Sequence, residues 1–176
     1  MRRAEILRSW MKRSSNRSFW PAASACLVWL GLGLAPALAD ETAEWTVYAG
    51  RWGLEKKGTA SELGFEFQRP FRETGFNVVG GLAATDDEAV WAYAGTSYSW
   101  QPANRWRLRP GFAVSLFEKG DGKDLGGAIE FRSSLEATAR VRSNLRLGIL
   151  VYHLSNAGIY DLNPGSNSLV FVVGFP

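Results

Sequence analysis

The sequence predicts an all-β fold, an eight-stranded antiparallel transmembrane β-barrel that follows a cleaved signal peptide. Three observations carry this expectation. Residues 1–39 have the basic, apolar and small-residue parts of an export signal. The rest of the chain alternates apolar and polar residues with period two and shows no helical period. Its alternating runs are long, and many end on aromatic side chains, as bilayer-crossing strands do.

The export segment comes first. Arg2, Arg3, Arg8, Lys12, Arg13 and Arg17 precede an apolar stretch over residues 25–34, and Pro36-Ala37-Leu38-Ala39 ends it with an A-x-A pattern. Cleavage after Ala39 leaves 137 of the 176 residues as one domain, residues 40–176. Six of the 20 Lys and Arg and one of the 17 Asp and Glu fall in residues 1–39. The body therefore keeps 14 basic and 16 acidic residues, a net charge of −2, although the whole chain is +3. The basic pI of about 9.2 belongs to the leader, and a basic nucleic-acid-binding domain is excluded. Cys26, the single cysteine, also lies in the leader, so the body has no disulfide framework, cysteine zinc site or thiol nucleophile.

Eight strands are expected in order, over residues 45–52, 61–71, 77–85, 89–100, 105–117, 126–141, 144–156 and 167–175. Turn-prone pieces separate them, among them Lys56-Lys57-Gly58, Asp86-Asp87-Glu88 and Asn163-Pro164-Gly165. The acidic Asp86-Asp87-Glu88 lacks the ligand spacing of a calcium loop and reads as a solvated turn.

Three runs separate the faces. Leu63, Phe65 and Phe67 oppose Glu62, Gly64, Glu66 and Gln68 in the second. Trp106, Leu108, Phe112, Val114 and Leu116 oppose Arg107, Arg109, Ala113 and Ser115 in the fifth. Ile129, Phe131, Leu135 and Val141 oppose Glu130, Arg132, Glu136 and Thr138 in the sixth. A soluble barrel turns its apolar face inward; a transmembrane barrel turns it toward lipid. Strand length and aromatic run ends (Trp45, Trp52, Phe71, Trp91, Trp100, Trp106 and Phe175) favour the second. The alternating C-terminal run that closes on Phe175 agrees with it. Eight strands leave no open channel, so the inward Arg and Glu are expected to pair with one another.

One constellation carries chemistry. His153, the only histidine, stands two residues before Ser155, so in a strand both point to one side. They share parity with Leu147, Ile149 and Val151, the apolar face. A histidine that activates a serine on a lipid-facing wall suits a lipid substrate. Tyr152 and Tyr160 read as interfacial belt aromatics.

His153-Leu154-Ser155-Asn156-Ala157-Gly158-Ile159, followed by Asn163-Pro164-Gly165, closely resembles the C-terminal motif of the PagL-type lipid A 3-O-deacylases, H-x-S-N-A followed after a short spacer by N-x-G. The resemblance implies an outer-membrane enzyme that hydrolyses the ester-linked 3-hydroxyacyl chain at position 3 of lipid A, without metal or other cofactor. It implies lipid A or lipopolysaccharide and membrane lipids as partners, and no nucleic acid; a homodimer is left open. Within it, His153 matches the general base and Ser155 the nucleophile. Asn156 and Asn163 match motif asparagines, candidates for an oxyanion hole, and Gly158 and Gly165 shape the loop. Plain turn chemistry competes for Asn156, Asn163 and Gly165. The third member of the family's triad is a glutamate two residues past the second motif glycine, where this chain has Asn167. Three alternatives follow: Asn167 orients His153 more weakly, Asp161 substitutes, or the protein is slow or inactive. A rival from another class is a non-catalytic small outer-membrane barrel of the OmpA type. A third is a soluble periplasmic barrel.

Overall fold

The computed structural model describes residues 43–55, 59–72 and 74–176, and the expected signal segment lies outside them. Eight strands follow one another: β1 Glu44–Trp52, β2 Ala60–Pro70, β3 Phe76–Thr85, β4 Val90–Tyr98, β5 Trp106–Glu118, β6 Ile129–Arg142, β7 Leu145–Ser155 and β8 Ser166–Phe175. Each is antiparallel to the next, and β1 pairs with β8 to close the barrel. Period-two alternation produces this directly, because a one-residue slip would turn every charged side chain toward the outside.

The fourth and sixth expected strands are trimmed most. Beyond Tyr98 the ladder gives way to one hydrogen bond, from the Ser99 amide to the Gly75 carbonyl, and an isolated bridge between Trp100 and Leu108. The sixth strand starts at Ile129, not at residue 126, because Gly126 takes a φ of +103° and Gly127 lies under the Tyr160 ring. Both glycines serve the preceding loop.

The outside of the barrel is apolar. Leu63 is 62% exposed, Leu116 66% and Phe171 74%, which is a surface for lipid and not for water. The soluble-barrel alternative fails on this face. Inside, Glu62, Glu66, Arg107, Arg109, Glu130, Arg132 and Glu136 are all buried. Arg107 bridges Glu44 (2.6 Å) and Glu136 (2.9 Å), and Arg109 bridges Glu66 (2.7 Å) and also binds Glu136. The Arg132 guanidinium lies between two tyrosine rings, 4.3 Å from the Tyr93 centroid and 4.4 Å from that of Tyr152. The expected internal pairing is present for Glu66, Glu136, Arg107, Arg109 and Arg132, the last 3.6 Å from Glu66, whereas Glu62 meets the Tyr152 hydroxyl instead of an arginine. Glu130 differs, since neither of its carboxylate oxygens has a hydrogen-bond partner among the described residues.

The aromatic belt needs correction. Trp52 and Trp91 point inward and are buried, with ring centroids 4.7 Å apart. Tyr152 is also buried inside, where its hydroxyl meets Glu62. Parity explains all three: Trp52 follows Tyr48, Trp91 precedes Tyr93 and Tyr152 follows Leu150 on the inward register. Tyr160 belongs to a loop, and its hydroxyl accepts a hydrogen bond from the Ile129 amide at 3.3 Å. Trp45, Phe71, Trp100, Trp106 and Phe175 remain on the outer side.

The two ends of the barrel differ. The tight 143–144 turn lies at the end where β1 begins and β8 finishes. The longer 119–128 and 156–165 loops lie at the opposite end and are bound to each other. Asn156 Nδ2 donates to the carbonyls of Leu125 (2.7 Å) and Leu162 (2.8 Å). At the end of β3, Asp86 accepts the Ser61 amide at 2.9 Å and Asp87 accepts the Thr85 hydroxyl, as turn-forming acids do.

Candidate active site

On β7 the odd-numbered residues from Leu147 face outward, and the even-numbered ones from Leu150 are buried. His153 and Ser155 therefore continue the lipid-facing row at the end of the strand, both half-buried. No hydrogen bond joins their side chains, and such contacts commonly tighten only when substrate binds. The neighbouring strand β6 places Ser133 opposite His153 and Phe131 opposite Ser155. On the other side β8 places Asn167 directly opposite His153. That register brings Asn167 Oδ1 to 2.9 Å from His153 Nδ1.

Gly165 holds the ring from behind. Its φ is +57°, and a Cβ there would stand 2.6 Å from His153 Cε1 and 2.9 Å from Nε2. The glycine makes the left-handed turn and also leaves room for the imidazole.

The other motif residues build the loop. Asn156 is fully buried. Its Oδ1 accepts the Gly158 amide at 2.9 Å, and its own amide donates to Asn163 Oδ1 at 3.1 Å. Ala157 and Gly158 both have positive φ, +54° and +80°, so the turn beside Ser155 is strained at its alanine. Asn156 has no amide hydrogen left for a substrate, since both of its Nδ2 donors serve carbonyls. Asn163 keeps its NH2 group without a partner among the described residues. Asp161 is exposed and makes no hydrogen bond among the described residues.

One residue at the site is invisible to motif reading. Glu55, in the loop after β1, accepts two hydrogen bonds at Oε1: from the Asn167 amide (2.9 Å) and from Asn167 Nδ2 (2.5 Å). Its Oε2 lies 3.4 Å from Lys123 Nζ, and that ammonium also donates to the Gly165 carbonyl. Partial burial pushes the Glu55 carboxyl up, but its own backbone amide, Lys123 and Asn167 together hold it below the ordinary value. The signal that could find it is topological. Closure of β1 on β8 pairs Trp52 with Ser168 and carries the end of β1 past Asn167, where the Leu54 amide donates to the Asn167 carbonyl at 3.1 Å.

A closed eight-strand barrel with an apolar wall and a polar, ion-paired interior defines a small outer-membrane barrel, and solved structures agree. The crystal structure of the outer membrane enzyme PagL is 18% identical, with a TM-score of 0.56, over 76% of this chain and 99% of that one. Neisserial surface protein A is 11% identical, with a TM-score of 0.55, over 77% of this chain and 97% of that one. A de novo designed transmembrane β-barrel is 10% identical, with a TM-score of 0.54, over 77% and 97%. These likenesses establish the fold. No curated protein sequence matches the chain. The family model for lipid A 3-O-deacylase (PagL) matches residues 36–176. The chain belongs to that family of outer-membrane hydrolases.

Proposed function

We propose that the protein removes the 3-position ester-linked 3-hydroxyacyl chain of lipid A by a serine–histidine mechanism. The observation that carries this reading is the outward His153, held at Nδ1 by Asn167, with Ser155 beside it on a lipid-facing wall. The site lies at the end with the longer loops, which in outer-membrane barrels is the extracellular side. Lipid A of the outer leaflet is then the ester at hand, and its acyl chain can lie along Phe131, Val151 and Leu169.

His153 Nε2 takes the Ser155 hydroxyl proton as Oγ attacks the ester carbonyl. The tetrahedral oxyanion meets the free NH2 of Asn163, and one such donor is commonly worth ~2.7–4 kcal/mol. Collapse breaks the bond to the sugar oxygen, and His153 returns the proton to the leaving 3-hydroxyl. Water then attacks the acyl-serine by the same route, releasing a 3-hydroxy fatty acid and restoring Ser155.

The test incubates purified protein with lipid A in detergent and follows mass. Wild type is expected to remove one 3-hydroxyacyl unit, and Ser155→Ala and His153→Ala none. Unmodified lipid A with wild type sinks the reading. It would favour a non-catalytic barrel, the alternative that Asn167 and the open His153–Ser155 geometry support.

A further inference from the structure

The site puts a neutral amide where its family has a carboxylate, yet a carboxylate is present one residue further out. Glu55, Asn167 and His153 form a chain from the loop after β1 across β8 to β7. Glu55 Oε1 accepts from Asn167 Nδ2, and Asn167 Oδ1 faces His153 Nδ1.

The chemistry of this chain has a direction. An asparagine amide can present either its oxygen or its NH2 to a neighbour, and only its partners decide which. An ionised carboxylate accepts and cannot donate, so the NH2 must face Glu55. The oxygen is then left for His153. That oxygen also only accepts, so Nδ1 must carry the ring proton and Nε2 its lone pair. This is the tautomer that a base acting on a serine needs. With the amide turned over, its NH2 would donate to Nδ1 and the proton would sit on Nε2, where it blocks the base.

We infer that Glu55 is a positioning residue that sets the tautomer of His153 through the Asn167 amide. It takes over at one remove the orienting task of the absent glutamate. Glu55 makes no hydrogen bond to His153 among the described residues and reaches it only through Asn167. Its double contact to the Asn167 backbone and side-chain nitrogens fixes the plane of the amide as well as its sense. The consequence for turnover rests on the hydrolase reading above; the consequence for the histidine rests on geometry alone.

The experiment uses this separation. The chain has one histidine, so full-length protein with 15N-labelled histidine, folded in detergent micelles, shows a single imidazole whose two nitrogens report the tautomer. At a pH where the ring is neutral, wild type is expected to hold the proton on Nδ1. Glu55→Ala is expected to lose that preference. Lys123→Met removes the cation at Oε2 and the hydrogen bond to the Gly165 carbonyl but leaves the Glu55–Asn167 contacts, and is expected to keep it. With lipid A, Glu55→Ala is expected to lower kcat by roughly tenfold or more with KM unchanged, up to the ~10²–10⁴ that positioned proton transfer supplies. Adding Asn167→Glu to Glu55→Ala puts a carboxylate directly on Nδ1 and is expected to restore kcat. If Glu55→Ala does not fold, Glu55→Gln, which keeps one acceptor, is expected to show a mixture of tautomers. An unchanged tautomer in the Glu55 variant overturns the inference. So does a shift in Lys123→Met as large as that in Glu55→Ala, because Glu55 would then act only by holding its loop. A wild type that hydrolyses nothing but shows a Glu55-dependent tautomer supports the inference and removes only the hydrolase reading.

Discussion

Gly165 shows how one residue serves both turn and ring. Any side chain there meets left-handed strain of about 1–2 kcal/mol and also the imidazole. Gly165→Ala is expected to push His153 off Asn167 and lower kcat more than tenfold, while thermal unfolding shifts only by that strain. Kinetics and calorimetry on one preparation check it; an unchanged kcat means the ring does not depend on Gly165. His153 and Ser155 could be read from sequence because parity along one strand needs no tertiary information. Asn156 misleads at that level: the motif suggests an oxyanion donor, and burial turns both its amide hydrogens to loop carbonyls. Glu55 could not be read at all, since it lies 112 residues from Asn167 and meets it only through barrel closure. The same contact alters what Asn167→Glu would do alone. Two carboxylates would then meet within hydrogen-bond distance, and like charges there resist joint ionisation.

The strands were legible as elements because their side chains alternate between inside and outside with period two, most plainly where polar faces in and apolar faces out. Leu63 beside Glu62 and Leu116 beside Ser115 follow that pattern, whereas Trp52, Leu150 and Val170 are apolar and face inward. The ends were less legible, because Gly126 and Gly127 belong to loop packing that alternation cannot report. That packing makes the 119–128 and 156–165 loops one unit, stapled by Asn156. Asn156→Ala would leave the Leu125 and Leu162 carbonyls unpaired, at roughly 1–3 kcal/mol each. Limited proteolysis is expected to cut these two loops faster while the barrel core stays resistant. Unaltered cleavage would mean that the Tyr160 and Gly126 contacts suffice without Asn156.

Across the whole molecule, stability rests on an interior that is ion-paired at one end and aromatic at the other. Glu136 accepts from both Arg107 and Arg109, so Glu136→Leu leaves two buried guanidiniums short of an anion. A loss of about 3–5 kcal/mol is expected, read by denaturant unfolding in lipid or detergent. A loss under about 1 kcal/mol would mean that Glu44 and Glu66 already neutralise the pair. The seam between β1 and β8 has a consequence of a different kind, one of timing. The β7–β8 hairpin can bring His153 to Asn167 by itself, being local in sequence. Glu55 reaches Asn167 only when the first strand zips onto the last. A chain still in transit, with its seam open, carries the whole motif but an uncommitted histidine. On the proposed mechanism, closure of the seam between the first and last strands is thus also the step that arms the base.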